Sequence, residues 1–430
     1  MALQEVSAGI RSGQRNGEIV LLAAALAFVA IAWRALDASP TAAPAGSSRI
    51  LAQFAATAAF GHIGLRIVAP RSAGVIFATS MLLTAIGLAF AARLAPDVTA
   101  TQANWASLGV LLMVAAAAAT RRYPMLRRYR YTAALIAVGL LVATGLFGQT
   151  YNGARLWIVV AGQTIQTTEL IKLFFIVFLA GYLADEAAVL EMPRLRFAGR
   201  SYSALPYLAP LALTVLAAII ALALLKDLGS IAILLLLSMA SLYVATGRLR
   251  FVFGGLALLA LTGVAGYLAF GHAQVRVDAW LDPWSSEDTT GYQTVQSLYA
   301  IQAGGVTGTG LGKGTPESIP ASTTDYVFSA IAEELGLAGA VGVVMLFILL
   351  LFAGLRVAMD APEGYGRLLA ACIALLLAIQ AAVIIAGNLR IIPTTGITLP
   401  FVSYGGSSLV VNYILVGMLL GISESSARRR

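Results

Sequence analysis

Long apolar runs alternate with short polar segments along almost the whole chain, and the runs are continuous rather than alternating residue by residue. Their lengths approach the ~20 residues that a helix needs to cross a bilayer. Roughly twelve spans are expected, over 18–37, 50–69, 73–93, 104–120, 132–149, 168–184, 205–225, 228–246, 252–270, 327–353, 368–388 and 405–422. Within hydrocarbon every backbone polar group must be satisfied internally, so such runs imply helices and argue against a β-barrel. The pattern predicts an all-α polytopic membrane protein, a helical bundle of about twelve transmembrane helices with one large loop at 271–326. No cleavable signal peptide is expected, because the first apolar run starts late and lacks a small-residue cleavage site.

Composition narrows the chemistry. The 430 residues are 59% hydrophobic and 11% charged, with a mean hydropathy of +0.86, whereas an ordinary soluble domain is about a quarter charged. A single cysteine, Cys372, excludes an intrachain disulfide and cysteine-cluster metal sites, and with only His62 and His272 a histidine-rich metal site is excluded as well. The net charge of +8 reads as orientation rather than nucleic-acid binding, because the arginines sit in short loops. "RRYPMLRRYRY" (121–131) carries five Arg and "PRLRFAGR" (193–200) three, while 247–250, 356–367 and 427–430 are also basic. With alternating spans these fall on one side, and loop 94–103, on the other, has no Lys or Arg. The positive-inside rule then puts both termini in the cytoplasm and loop 271–326 outside.

That loop contains "GGVTGTGLGKG" (304–314). It is not a nucleotide P-loop, because Gly314 follows Lys313 where Ser or Thr is required and no strand precedes it. The glycines and the scarcity of apolar residues around 304–318 predict a mobile segment. Its N–H groups and Lys313 either meet an anionic lipid headgroup or are simply solvated.

Ionisable residues at membrane depth are costly and point to function by default. Glu169 and Lys172 in "QTTELIK" share a helix face, serving either as an ion pair between helices or as substrate ligands; Arg155, in the preceding loop, is available to an anion. Lys226 and Asp227 read as an outer turn with Asp227 at a helix N-terminus. Asp325 opens a long helix and reads either as an N-cap or, with Glu333 and Glu334 deeper in the same span, as part of a wet cavity. "GNLRIIPTTGITLPFVSYGGSS" (387–408), with Arg390, two prolines and Gly405–Gly406, reads as a re-entrant or pocket-forming element.

The stretches "NGARLWI…QTTELIKL", "KDLGSIAI", "GYQTVQSLYAIQAGGVTGTGLGKG", "TTDYVFSAIAEELGLAG" and "LPFVSYGGSSL" occur in an order that resembles the SEDS family (shape, elongation, division and sporulation) of RodA, FtsW and SpoVE. The resemblance covers roughly 73–425; residues 1–72, with two spans, read as an N-terminal extension before a ten-helix core, and 426–430 as a basic cytoplasmic tail. It implies a peptidoglycan glycosyltransferase in the bacterial cytoplasmic membrane that acts on lipid II at the outer face, with a class B penicillin-binding protein and membrane lipids as partners and no nucleic acid. The family's essential Asp falls in a TD[FY] motif, here Thr324–Asp325–Tyr326, and implies Asp325 as general base with Glu333 and Glu334 as supporting acids. Substrate contacts are expected from Arg155, Lys313, Arg390, Glu169 and Lys172, and from Gln293, Gln296, Ser403 and Tyr404 within the shared motifs. No cofactor is required by the sequence and no dedicated metal cage is visible; a divalent cation, Mg or Mn, is left open as a helper at the pyrophosphate. The chain departs from the family at Gln166–Thr167–Thr168–Glu169, where Gln-Pro-Ser-Glu is usual, at Lys226–Asp227–Leu228–Gly229, where Pro-Asp-Leu-Gly is common, and at "GNLRIIP". These leave open whether it serves elongation, division or sporulation. Polytopic helices with broken segments equally suit a transporter (flippase) for the lipid-linked precursor, and a non-catalytic scaffold for a penicillin-binding protein is a further alternative.

Overall fold

The computed structural model describes residues 2–39, 46–151, 154–160, 162–191, 195–197, 200–202 and 205–429. In chain order its helices are α1 (Ala2–Asp37), α2 (Ser47–Val68), α3 (Gly74–Leu94), α4 (Pro96–Thr120), α5 (Pro124–Arg128), α6 (Arg130–Phe147), α7 (Thr167–Glu191), α8 (Ala209–Leu224), α9 (Leu228–Thr246), α10 (Leu249–Ala269), α11 (Gly271–Leu281), α12 (Tyr292–Gly304), α13 (Val327–Asp360), α14 (Gly364–Asn388) and α15 (Gly406–Arg428). Among the described residues eleven helices are long and apolar enough to cross a membrane. The remaining expected span, 205–225, is the shorter α8 preceded by a 3-10 turn at Leu205–Leu208. The twelve apolar runs therefore all become helix.

The chain divides into two compact units, one of residues 1–121, 275–354 and 380–430, the other of 122–274 and 355–379. In the first, α15 lies along α4 and α1 along α3. The α4–α15 contact is close because Gly417 and Gly421, four residues apart, face the backbone of Met113 and Ala117: a Cβ on Gly417 would lie 2.2 Å from the Met113 carbonyl oxygen. Small residues at this spacing let helices approach where apolar burial alone provides little drive. The N-terminal helices are tied in by Glu18, which is buried and bonded to His62 (2.7 Å) and Arg66 (2.5 Å) of α2.

In the second unit α6 packs on α7, α7 on α9, and α10 on α9. It is not purely helical. An antiparallel sheet of β1 (Gln149–Tyr151), β2 (Ala154–Val160) and β3 (Gln163–Gln166) stands where a plain loop was expected, and β4 (Leu195–Phe197) pairs with β5 (Arg200–Tyr202). The run "RLWIVV" is rich in β-branched and aromatic residues that suit a strand, and Gly162 (φ 79°) supplies the turn after it. Asn152 and Gly153, at the head of the first family-like motif, lie outside the described residues.

The segment 271–326 also departs from expectation. It holds α11, α12 and two 3-10 turns, at Trp284–Ser286 and Pro316–Ser318. Its glycine-rich part is anchored by backbone hydrogen bonds. Helix α13 breaks at Gly336 (φ 66°, ψ −169°), a backbone region essentially confined to glycine. The neighbouring chain supplies hydrogen bonds on both sides of that break. Thr309 N donates to Glu333 O and Gly310 N to Glu334 O, both at 3.0 Å; Leu337 N donates to Gly305 O (2.9 Å) and Ala338 N to Val306 O (3.2 Å). The scarcity of apolar side chains hid this anchoring from the sequence, because it is made by backbone bonds.

The anchoring predicts a graded glycine series. Gly305→Ala meets nothing within 4 Å and carries only the backbone strain of φ +50°, ψ −138°, about 1–3 kcal/mol. Gly308→Ala places a Cβ 2.2 Å from the Glu334 carbonyl oxygen at φ +81° and should destabilise clearly more. Thermal unfolding of the purified variants checks the order; equal losses would mean that the loop is not packed on the break.

Candidate functional site

The first unit builds a fixed turn around Asp325. Ala321 takes a left-handed conformation (φ 58°), and its carbonyl accepts from the N–H groups of Thr324, Asp325 and Tyr326. Two other segments hold this turn by its backbone. Ser403 Oγ donates to Thr324 O and Tyr404 N to Thr323 O (2.9 Å). Asn388, at the end of α14, donates through Nδ2 to Asp325 O (2.8 Å), while its Oδ1 accepts from Ser329 N (3.2 Å) and Ser329 Oγ (3.0 Å). Ser297 of α12 completes the network, 2.6 Å from Ser329 Oγ. Tyr326 is buried against Ala300 and Ile319.

With the backbone so occupied, the Asp325 side chain is left for other work. It precedes the first residue of α13 by two positions and hydrogen-bonds the Thr324 hydroxyl. The residue is half-buried, with part of its surface open. Burial pushes its carboxyl above the ordinary range; the Thr324 hydrogen bond and the positive charge of Arg276 pull it back. Arg276, on α11, is thus the cation that acts on Asp325. Its guanidinium lies against Gly396, with Nη1 3.5 Å from Thr394 O. The Tyr326 phenol, which Arg276 also influences, hydrogen-bonds Thr294 and Thr394.

Glu333 and Glu334 find their partners at the break in α13. Glu333 Oε1 accepts from Thr315 N (2.7 Å). Glu334 Oε1 accepts from Arg93 Nε (2.8 Å), a pair with both side chains almost fully buried. Arg93 also donates to Gly314 O and to Glu317, each at 2.9 Å. The physical reason is that two buried carboxylates next to a helix break need donors, and find a backbone N–H in the loop that covers it and a guanidinium on α3. Sequence reasoning passed over Arg93 and Arg276; an arginine closing an apolar span beside a loop devoid of Lys and Arg was the available signal for the former.

Arg390 is likewise committed. Its Nε donates to Trp280 O (2.7 Å) and Nη2 to Leu281 O (2.6 Å), and Trp280 Nε1 donates back to Arg390 O (3.1 Å). The guanidinium caps the C-terminal end of α11, where the helix dipole favours a cation. Ser403 and the Tyr404 backbone act on the turn as described. Lys313 is exposed on the glycine-rich loop, and Gln293 (exposed) and Gln296 (half-buried) lie on α12.

The other sequence candidates belong to the second unit. Lys172 Nζ lies 2.8 Å from both Glu169 oxygens, and both residues are buried. Asp227 caps α9, accepting from Ser230 N (2.9 Å) and Ser230 Oγ (2.6 Å), and feels the charges of Lys172 and Glu169. Arg155 is exposed and donates through Nη1 to Gly145 O (2.9 Å) at the end of α6. Among the described residues no group of three or more His, Cys, Asp or Glu side chains is gathered for a metal ion.

A sequence profile for FtsW, RodA and SpoVE, described as a cell cycle protein, matches residues 66–428. The chain belongs to this family. The "Peptidoglycan glycosyltransferase RodA" of Mycobacterium leprae (strain TN) is 34% identical over 427 residues, covering 96% of this chain and 91% of that protein. "Stage V sporulation protein E" of Bacillus subtilis (strain 168) is 36% identical over 283 residues, 65% of this chain and 74% of its own. Among solved structures, a chain of a peptidoglycan synthase complex in which polymerization and crosslinking are coordinated aligns with a TM-score of 0.68 at 28% identity, covering 82% of this chain and 97% of that one. The Rod shape determining protein RodA of Thermus thermophilus aligns with a TM-score of 0.59 at 27% identity over 81% of this chain and 95% of its own. Helix α1 and nearly all of α2 precede the residues that define the family, while the match to the M. leprae relative spans too much of the chain to leave them out.

The Glu169–Lys172 pair gives a direct check. Replacing either residue by Ala strands a buried charge and should cost about 3–5 kcal/mol, whereas the double variant should lose much less than the sum. A double-mutant cycle on unfolding free energy reads the coupling; zero coupling would contradict the pair.

Proposed function

We infer that the chain is a peptidoglycan glycosyltransferase of cell-wall synthesis and propose that it polymerises lipid II with Asp325 as general base. The observation that carries the assignment to Asp325 is the turn at 321–326. Its backbone is tied by two segments, yet its carboxylate is left partly open. A sugar hydroxyl of one substrate attacks the anomeric carbon of the other. Asp325 takes the hydroxyl proton, the new glycosidic C–O bond forms, and the anomeric C–O bond to pyrophosphate breaks. Undecaprenyl pyrophosphate departs with that electron pair. A carboxyl raised by burial is a stronger base than an ordinary one, and the Thr324 hydrogen bond and the Arg276 charge oppose that rise by favouring the ionised form.

The leaving pyrophosphate needs cations. Lys313 is exposed in the same unit as Asp325, and Arg276 retains donors beyond its contact with Thr394. Gln293, Gln296 and the Tyr404 side chain are offered as contacts to sugar or peptide, and Arg155 and the Glu169–Lys172 pair as an anion-facing group in the second unit. A Mg or Mn ion at the pyrophosphate would draw most of its ligands from substrate. The partner is a transpeptidase of the class B penicillin-binding type, a reading supported by the likeness to a synthase complex. The site faces the outside and both termini the cytoplasm, a reading supported by the arginine-rich loops.

Asp325→Asn keeps the shape of the side chain and the backbone ties, so folding should be unchanged. Loss of a positioned base should slow lipid II polymerisation about 10²–10⁴-fold; turnover above a tenth of wild type would remove Asp325 from this role, and lipid II translocation without polymerisation by the intact protein would favour the transporter reading. The pH profile is a second check. The ionised carboxylate is the active form, so activity falls as pH drops through a value above the ordinary ~3.9. Arg276→Gln removes a charge that stabilises the carboxylate and should move that acid limb to higher pH, with Arg276→Lys intermediate.

Sidedness is tested with single cysteines in a Cys372→Ser background. Thr290→Cys should react with an impermeant maleimide on intact spheroplasts, and Arg429→Cys only after permeabilisation. Both positions are exposed, so the reverse pattern would invert the topology.

A further inference from the structure

Segment 121–131 carries five arginines, and the ion pairs of the structure leave part of that charge without a counter-ion. Asp185 of α7 binds two of them, Arg127 and Arg130. Arg122 and Arg128 are exposed and form no ion pair among the described residues. Apolar and amphipathic side chains stand between and beside them: Met125 is 61% exposed, and Tyr129 and Tyr131 are each 53% exposed. The Arg130 guanidinium lies 4.8 Å from the Tyr131 ring centroid. Water alone gives no reason for a methionine and two tyrosines to be presented among free arginines. The segment links the end of α4 at Thr120 to the start of α6 at Arg130, two membrane-crossing helices, so it sits at headgroup depth. It is also held in place, because Tyr123 is fully buried with its ring 6.3 Å from that of Tyr365.

We propose that 121–131 is a binding surface for anionic phospholipids, with Arg122 and Arg128 taking the headgroup phosphates while Met125, Tyr129 and Tyr131 enter the interfacial layer. Each element has a physical match. Arginine grips phosphate oxygens through paired N–H donors. Tyrosine favours the water–lipid boundary, and a basic cluster next to a transmembrane helix attracts anionic lipid. The fixed turn presents the two guanidiniums without first having to be ordered. This surface is independent of the glycosyltransferase site.

The test uses the purified full chain and native mass spectrometry, with phosphatidylglycerol or phosphatidylcholine added to the detergent and inorganic phosphate as a third probe. The wild-type protein should retain phosphatidylglycerol in preference to phosphatidylcholine. Arg122→Gln with Arg128→Gln should weaken that retention on the order of twenty-fold, since one charge near an anionic surface is worth about a factor of five. Arg122→Lys with Arg128→Lys should keep most of it, which separates lost charge from lost fold. Met125→Ser with Tyr129→Ser should weaken lipid retention and leave the response to inorganic phosphate unchanged. A charge-matched control, Arg34→Gln with Arg71→Gln, removes two other exposed arginines and should have no effect. Equal retention of the two lipids, an undiminished Gln double variant, or an equal loss in the control would overturn the proposal. Inorganic phosphate held as well as the lipid would reduce the surface to a bare anion site and overturn it too; loss in the Gln variant with no lipid preference would point instead to an acidic protein segment.

Discussion

Hydrogen bonds lost at the break in α13 are the constraint around which the first unit is arranged. A helix in a membrane protein cannot leave N–H and C=O groups unpaired without a cost of several kcal/mol each, and Gly336 interrupts the ladder in the middle of an apolar run. Residues 305–310 replace the missing partners through backbone bonds to residues on both sides. Once that loop lies over the break, Glu333 and Glu334 turn their carboxylates to it and to Arg93, and Arg93 extends the same network to Gly314 and Glu317. The chain from 304 to 317 thereby becomes a rigid approach to the turn that carries Asp325.

That turn illustrates how a site is made precise without crowding its reactive group. Thr323, Thr324 and Asp325 each give a carbonyl to another segment of the fold, and Ser297, Ser329 and Asn388 form a buried hydroxyl–amide cluster behind them. Positioning through the main chain leaves the carboxylate free to answer to its electrostatic surroundings, in which burial and Arg276 act in opposite directions.

The helices were legible because hydrocarbon length and backbone satisfaction leave few alternatives for a continuous apolar run; even the ambiguous division at Lys226–Asp227 proved to be a turn, with Asp227 capping α9 through Ser230. Glu169–Lys172 was legible because residues three apart on a helix must meet. The partners of Asp325 were not. Arg276 is 49 positions away, and 276 and 325 come together through α11, α12 and the turn rather than through local spacing. Arg390 misled for the opposite reason: an arginine in a proline- and glycine-rich stretch looks available, and only the fold reveals that the end of α11 uses it. The small sheet at 149–166 was missed because an apolar stretch flanked by spans was read by its length and not by its β-branched content.

The double pairing across Gly336 has a corollary for chain length. Bonds from Gly305 and Val306 to one side of the break, and from Thr309 and Gly310 to the other, fix the number of residues between them on both strands of the contact. One inserted or deleted residue in 305–310 or 333–338 would slide every donor past its acceptor. The exposed stretch 287–290 bears no such register. A change of length is therefore better tolerated at 287–290 than within either strand of the contact.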